Sequence, residues 1–174
     1  MIRRSISIIA LAILASCVPN RPPPTVNRAP PPAPVAPPPA APAPPPSDWR
    51  DGPVTPGDWS YARDANGSEA RYGPGGASPL ATLRCDLPNR RLFLSRAGAV
   101  ATPMTVRTTS LARQLPVGAT GGEPAYVAAV LPASDPLLDA MAFSRGRFAL
   151  EQAGQPPLVL PAWAEIARVI EDCR

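Results

Sequence analysis

LATLRCDLPNRRLFLS, residues 80–95, reads as two strands folded back on each other. Ala81, Leu83 and Cys85 alternate onto one face of the first strand, Leu80 to Cys85. Asp86 to Asn89 holds Pro88 and breaks the run as a turn. Arg90 to Ser95 then returns with Leu92 and Leu94 on one face. A period of two with one apolar face marks a half-buried strand.

The same period continues on both sides. Upstream, Trp59-Ser-Tyr61-Ala-Arg63 alternates, Asn66-Gly67 predicts a type I′ hairpin, and Glu69 to Tyr72 is the returning strand. Gly73 to Pro79 is a loop. Downstream, Met104 to Thr109 sets Met104, Val106 and Thr108 against Thr105, Arg107 and Thr109. Leu111, Arg113, Leu115 and Val117 alternate, Gly118 to Pro124 is a loop, and Tyr126 to Leu131 leans to strand. Ser134 is the expected N-cap of a short helix to Phe143. Arg147 to Gln152 and Leu158 to Leu160 form a last strand pair, with Phe148 and Leu150 on one face. Pro161 then opens a helix over 162–172. Its Ile166, Val169, Ile170 and Cys173 recur at i, i+3, i+4, i+7, one buried face. The expected class is mainly β (α+β): an antiparallel β-sandwich or partly open barrel with a C-terminal helix.

The rest of the 174 residues is of another kind. Residues 1–17 read MIRRSISIIALAILASC. Arg3 and Arg4 precede an apolar run from Ser5 to Ile13, and the small Ala15 and Ser16 precede Cys17. That is the layout of a signal peptide, with an apolar run too short for the ~20 residues of a membrane span. Leu14-Ala15-Ser16-Cys17 resembles the bacterial lipobox. The resemblance implies cleavage after Ser16 and acylation of Cys17, an anchor of more than one chain, palmitate included. The alternative is an ordinary secretory signal with Cys17 incidental. Val18 stands where an Asp would favour inner-membrane retention, so the resemblance implies the outer membrane, facing the periplasm.

From Pro19 to Pro46, 15 of 28 residues are Pro. Pro fixes φ and removes the backbone donor, so a disordered, polyproline II-like tether is expected, reaching up to ~85 Å. The organisation is therefore signal 1–16, lipidated Cys17 and Pro-rich tether 17–47, and a β-rich domain over 48–174.

Composition excludes much chemistry. All 17 basic residues are Arg, and there is no His. No Ser–His or Cys–His pair, Lys Schiff base or imidazole–metal site can form within the chain. Without the signal, 15 Arg face 13 acidic residues and form no dense block beyond Arg90-Arg91. A nucleic-acid partner needs a clustered basic face, so none is expected. Ser95, Ser110 and Ser144 lack a nucleophile elbow and a cationic base. Asp135, Asp139, Glu165, Glu171 and Asp172 fit no metal-binding loop, and Asp135 and Asp139 read as one solvated helix face. No enzyme, cofactor or metal is expected. Arg145 and Arg147, flanking Gly146, are the candidate anion site, for a small anion or a peptidoglycan carboxylate. The plainer reading is hairpin charges or internal ion pairs, Arg107 and Arg113 included.

If Cys17 is acylated, Cys85 and Cys173 remain. Outside the cytoplasm an even pair reads as a disulfide, here closing an 88-residue separation. The rival is a pair of buried thiols or a redox pair, for which no CxxC spacing speaks.

Taken in order, Gly57-Asp-Trp59, Leu83-Arg-Cys85, Met104 to Thr109, Phe143-Ser-Arg-Gly-Arg-Phe148-Ala-Leu150, Leu158-Val-Leu160-Pro161 and a helix ending in Cys173 resemble small proteobacterial envelope β-sandwich proteins. The invasion-associated locus B type and the type VI secretion accessory lipoproteins are the groups concerned. The resemblance spans about residues 57–173 and implies a fold and an envelope location, with no catalytic residue. The chain lacks the Trp those groups often carry after the middle strand. The expected role is a non-enzymatic envelope lipoprotein presenting its domain to another envelope protein or to peptidoglycan. The alternative is a periplasmic inhibitor of a lysozyme or protease.

Overall fold

The computed structural model describes residues 48–174. The signal, the lipobox with Cys17 and the Pro-rich tether lie outside the described residues.

Ten strands and two helices follow in chain order: β1 Asp58–Asp64, β2 Gly67–Gly73, β3 Ala81–Asp86, β4 Arg91–Ala97, β5 Met104–Arg107, β6 Ala112–Leu115, β7 Gly118–Ala119, β8 Tyr126–Pro132, α1 Pro136–Ala142, β9 Arg147–Gln152, β10 Leu158–Pro161 and α2 Ala164–Asp172. They form two antiparallel sheets. One has the order β1-β2-β3-β4-β8-β7, the other β10-β9-β5-β6. The sheets do not close into a barrel, so of the two expected architectures the sandwich is the one formed.

Alternation in the sequence becomes the core. Leu83 pairs with Leu94 and Cys85 with Leu92 across β3 and β4, and all four are fully buried. Met104, Val106, Phe148, Leu150 and Leu160 of the second sheet join the same cluster. Helix α2 lies against β1, β2 and β3, with Ile166, Val169 and Ile170 buried. Burying each such aliphatic side chain contributes roughly 1.5–3 kcal/mol.

The β1–β2 turn differs from expectation. Asp64 pairs with Gly67, so the two turn residues are Ala65 and Asn66. Neither has a positive φ, which a type I′ turn requires at both positions. The Asp64 carboxylate instead accepts the Asn66 N–H at 2.8 Å, a local bond that fixes the turn. Gly67 is needed for another reason. At φ 145° a Cβ there would meet the Cys85 carbonyl oxygen at 2.3 Å. Only Gly lets β3 approach so closely.

Other boundaries shift for similar local reasons. The N-cap of α1 is Asp135, not Ser134, and its side chain accepts from Leu137 N. Pro136 occupies the first turn and confines the residue before it to extended backbone, which is what a cap needs. Pro161 ends β10, paired with Arg147, and α2 begins at Ala164 behind Trp163. The expected loop 118–124 contains β7, whose two residues pair with Ala128 and Val127.

Candidate functional site

Cys85 and Cys173 are joined by a disulfide, Cα–Cα 5.5 Å, with both residues fully buried. It fastens the end of α2 to β3, the third strand of the six-stranded sheet. The reading as two free buried thiols does not describe this structure.

Arg145 and Arg147 converge. With Arg50 and Thr109 they line an open depression of about 390 Å³. The sequence pointed to the first two. Arg50 and Thr109 were missed, because approaches across 95 and 36 residues leave no local signal.

The depression rests on a turn fixed from three sides. Ser144 is buried and its Oγ accepts the Thr109 N–H at 3.1 Å. The same hydroxyl donates to the Arg147 carbonyl. Arg145 N–H donates to Thr109 Oγ1 at 3.2 Å, and Ala162 N–H donates to the Gly146 carbonyl at 3.2 Å. Gly146 takes φ 76°, the left-handed region that allows the reversal. Ser144 is thus a structural clamp, its hydroxyl proton committed to the Arg147 carbonyl.

The three guanidinium groups are not equally committed. Arg50 pairs with Asp48 at 3.1 Å. The Arg50 backbone N–H, and next its guanidinium, hold the Asp48 carboxyl below its usual range against the opposing cost of burial. Arg147 Nη1 donates to the Gly52 carbonyl at 2.7 Å, a neutral partner. Among the described residues Arg145 forms no ion pair and is exposed. No carboxylate lines the depression.

The other candidates are internally matched. Arg107 pairs with Glu151 at 2.7 Å. Arg113 reaches Asp135 at 2.8 Å, and Asp139 takes Arg174 at 2.7 Å. Asp135 and Asp139 are therefore not one solvated face: the first is a half-buried cap with its own cation, the second an ion-pair partner. A larger depression of about 540 Å³ holds Arg90, Asp139 and Arg174. Its cations are already engaged, Arg90 by the Arg174 carbonyl and Arg174 by Asp139 and the Ala133 carbonyl. Among the described residues no three His, Cys, Asp or Glu side chains gather as metal ligands, and no helix is long and apolar enough to cross a membrane.

Beside the arginine depression, Phe143 caps the end of α1 and is 78% exposed. Trp163, next to Ala162, is 45% exposed. Comparison with protein-family models, with curated proteins and with solved structures gives no match.

Proposed function

We propose that this chain is a lipid-anchored, non-enzymatic protein of the cell envelope, presenting its β-sandwich to another envelope component. The supporting observation is the cysteine account. Cys85 and Cys173 are joined, which leaves Cys17 alone of the three cysteines, at the end of Leu14-Ala15-Ser16-Cys17. A buried disulfide suits an oxidising compartment, and a lone Cys behind a short apolar run suits acylation. The Pro-rich run from Pro19 to Pro46 then serves as a spacer between the anchor and the sandwich. The outer membrane, facing the periplasm, is the location this reading gives. The resemblance of residues 57–173 to envelope β-sandwich proteins points the same way.

Intact mass of membrane-extracted protein, with alkylation before and after reduction, tests it. Loss of residues 1–16, acyl mass on Cys17 and alkylation of Cys85 and Cys173 only after reduction are expected. A soluble, unacylated chain overturns the anchor.

A second reading, an inhibitor of a periplasmic lysozyme or protease, draws on the turn at Phe143–Arg147. Aromatic and Arg side chains on pre-organised backbone are what tight protein interfaces use. A photo-cross-linker at position 143 separates the two: capture of a hydrolase favours the inhibitor, and capture of a structural envelope protein or of cell wall favours the first reading.

A further inference from the structure

The depression lined by Arg50, Thr109, Arg145 and Arg147 has a surplus of positive charge and no carboxylate of its own. We infer that it is a binding site for a phosphate group, carried either by a free phosphate or by a lipid headgroup. The inference is independent of the anchor at Cys17.

Charge comes first. Arg50 is matched by Asp48, whereas Arg145 and Arg147 meet no carboxylate among the described residues. The local excess is two positive charges, enough for the dianion of free phosphate and more than enough for the single charge of a headgroup phosphodiester. Of the other arginines, Arg63 takes Asp172, Arg71 Glu69, Arg84 Asp64, Arg107 Glu151, Arg113 Asp135 and Arg174 Asp139, while Arg91, Arg96 and Arg168 take no carboxylate among the described residues but do not cluster in this depression.

Donor geometry comes second. A carboxylate offers two oxygens whose acceptor sites lie in one plane, and one guanidinium fork engages both oxygens. A phosphate offers oxygens in several directions and so accepts from several forks at once. Here three arginines line one depression from two separate segments: the start of the domain, and the α1–β9 turn running into the first residue of β9. Thr109 Oγ1 accepts from Arg145 N–H and has no acceptor for its own proton among the described residues, which leaves it a fourth donor.

Pre-organisation comes third. The hydrogen bonds around Ser144 and Gly146 fix the backbone carrying both arginines before any ligand arrives. Arg147 is held through one nitrogen to Gly52, and its remaining donors stay open. Binding then orders only the outer parts of these side chains, a smaller entropic cost than folding a loop around the anion.

Arginine-selective dicarbonyl labelling of the full chain, read by peptide mass spectrometry, tests the site. Arg91 is the internal reference, exposed and without an ion pair among the described residues. Labelling rates are compared in chloride and in inorganic phosphate at matched ionic strength, because screening alone slows any charged reagent. They are also compared on phosphatidylglycerol and phosphatidylcholine vesicles. Several-fold slowing at Arg145 and Arg147 in inorganic phosphate, with Arg91 unchanged, supports the site with free phosphate as a source. Slowing only on phosphatidylglycerol supports the site with a headgroup phosphate as the source. Equal rates in all four conditions, or equal slowing at Arg91, overturn it. Arg145→Gln removes a side chain with no partner inside the domain and leaves the fold intact. Protection of Arg147 is lost in that variant; its full retention also overturns the inference.

Discussion

The six-stranded sheet is fastened in two ways, and the two differ in kind. On the side of β1, β2 and β3, helix α2 is bound covalently through Cys85–Cys173. On β4, beside the shared apolar core, one buried cation bonds to the second sheet and its turn. Arg96 is 2% exposed, and its Nη1 donates to the Leu150 carbonyl at 2.9 Å. Its Nε donates to Gln155 Oε1 at 3.1 Å, and its Nη2 to the Pro156 carbonyl. No carboxylate takes part. Burial pushes this guanidinium below the usual arginine range, yet an arginine keeps its proton at any ordinary pH. The covalent fastening depends on the redox state of the compartment, and the polar one does not. One half of the domain is thus conditional on where the chain resides, and the other half is not.

Removing the disulfide has the largest expected effect. A closed separation of 88 residues is worth about 4.5 kcal/mol in chain-entropy terms, at the upper end of measured values. Cys173→Ser should lower the unfolding free energy by an amount of that order in denaturant titrations. Because both cysteines are fully buried, reductant added to the folded protein should act slowly, and faster once denaturant opens it. If Cys173→Ser unfolds at the same denaturant concentration as the unaltered chain, the disulfide is not what holds α2.

Arg96→Met attacks the other fastening. It leaves the Leu150 and Pro156 carbonyls and Gln155 Oε1 without their donor. Orphaned buried acceptors of this kind cost about 3 kcal/mol together. Unlike Cys173→Ser, the loss should be the same with and without reductant. A redox-dependent loss would show that the two fastenings are coupled rather than separate.

These two fastenings were not equally legible in the sequence. The disulfide followed from counting: three cysteines, one set aside at the lipobox. Arg96 has the same parity as Leu92 and Leu94, so alternation alone placed it inward. Its charge argued the opposite, and the expected strand stopped one residue short. Parity prevailed because β9 supplies one acceptor and the β9–β10 turn two, and a tertiary contact of that kind has no sequence period. The same holds at the candidate site. Arg145 and Arg147 stood out as a flanked Gly, but Arg50 joins them only through the fold. Cap positions erred by one residue at α1, since Ser134 and Asp135 are both good caps and only Pro136 decides between them.

A smaller effect is expected at that cap, which lies on neither fastening and so serves as their control. Asp135→Ala removes the acceptor for Leu137 N–H and the partner of Arg113. Loss of a cap costs about 1 kcal/mol, and the ion pair adds less because Arg113 stays partly solvated. Thermal melting should show a shift well below that of Arg96→Met. A shift as large as that of Cys173→Ser would mean α1 is a third fastening.

The smallest effect concerns pH at the β1–β2 turn, on the covalent side. The Asn66 backbone N–H, and after it the Arg84 guanidinium, hold the Asp64 carboxyl below its ordinary value of 3.8. A depressed carboxyl contributes stability above its unfolded value. That contribution is lost as pH falls through the folded value, so acid should loosen this turn. Asp64→Asn keeps an acceptor for Asn66 and removes the titration. The unaltered chain should therefore melt slightly above Asp64→Asn at neutral pH; the gap should shrink as pH falls below about 3.8 and close only below the lower, folded value, where the carboxyl is protonated. The carboxylate is exposed, so salt should narrow the gap as well. A gap that stays constant as pH falls through this range would mean that the turn is held by Gly67 against Cys85 alone, with the side chain at position 64 a bystander.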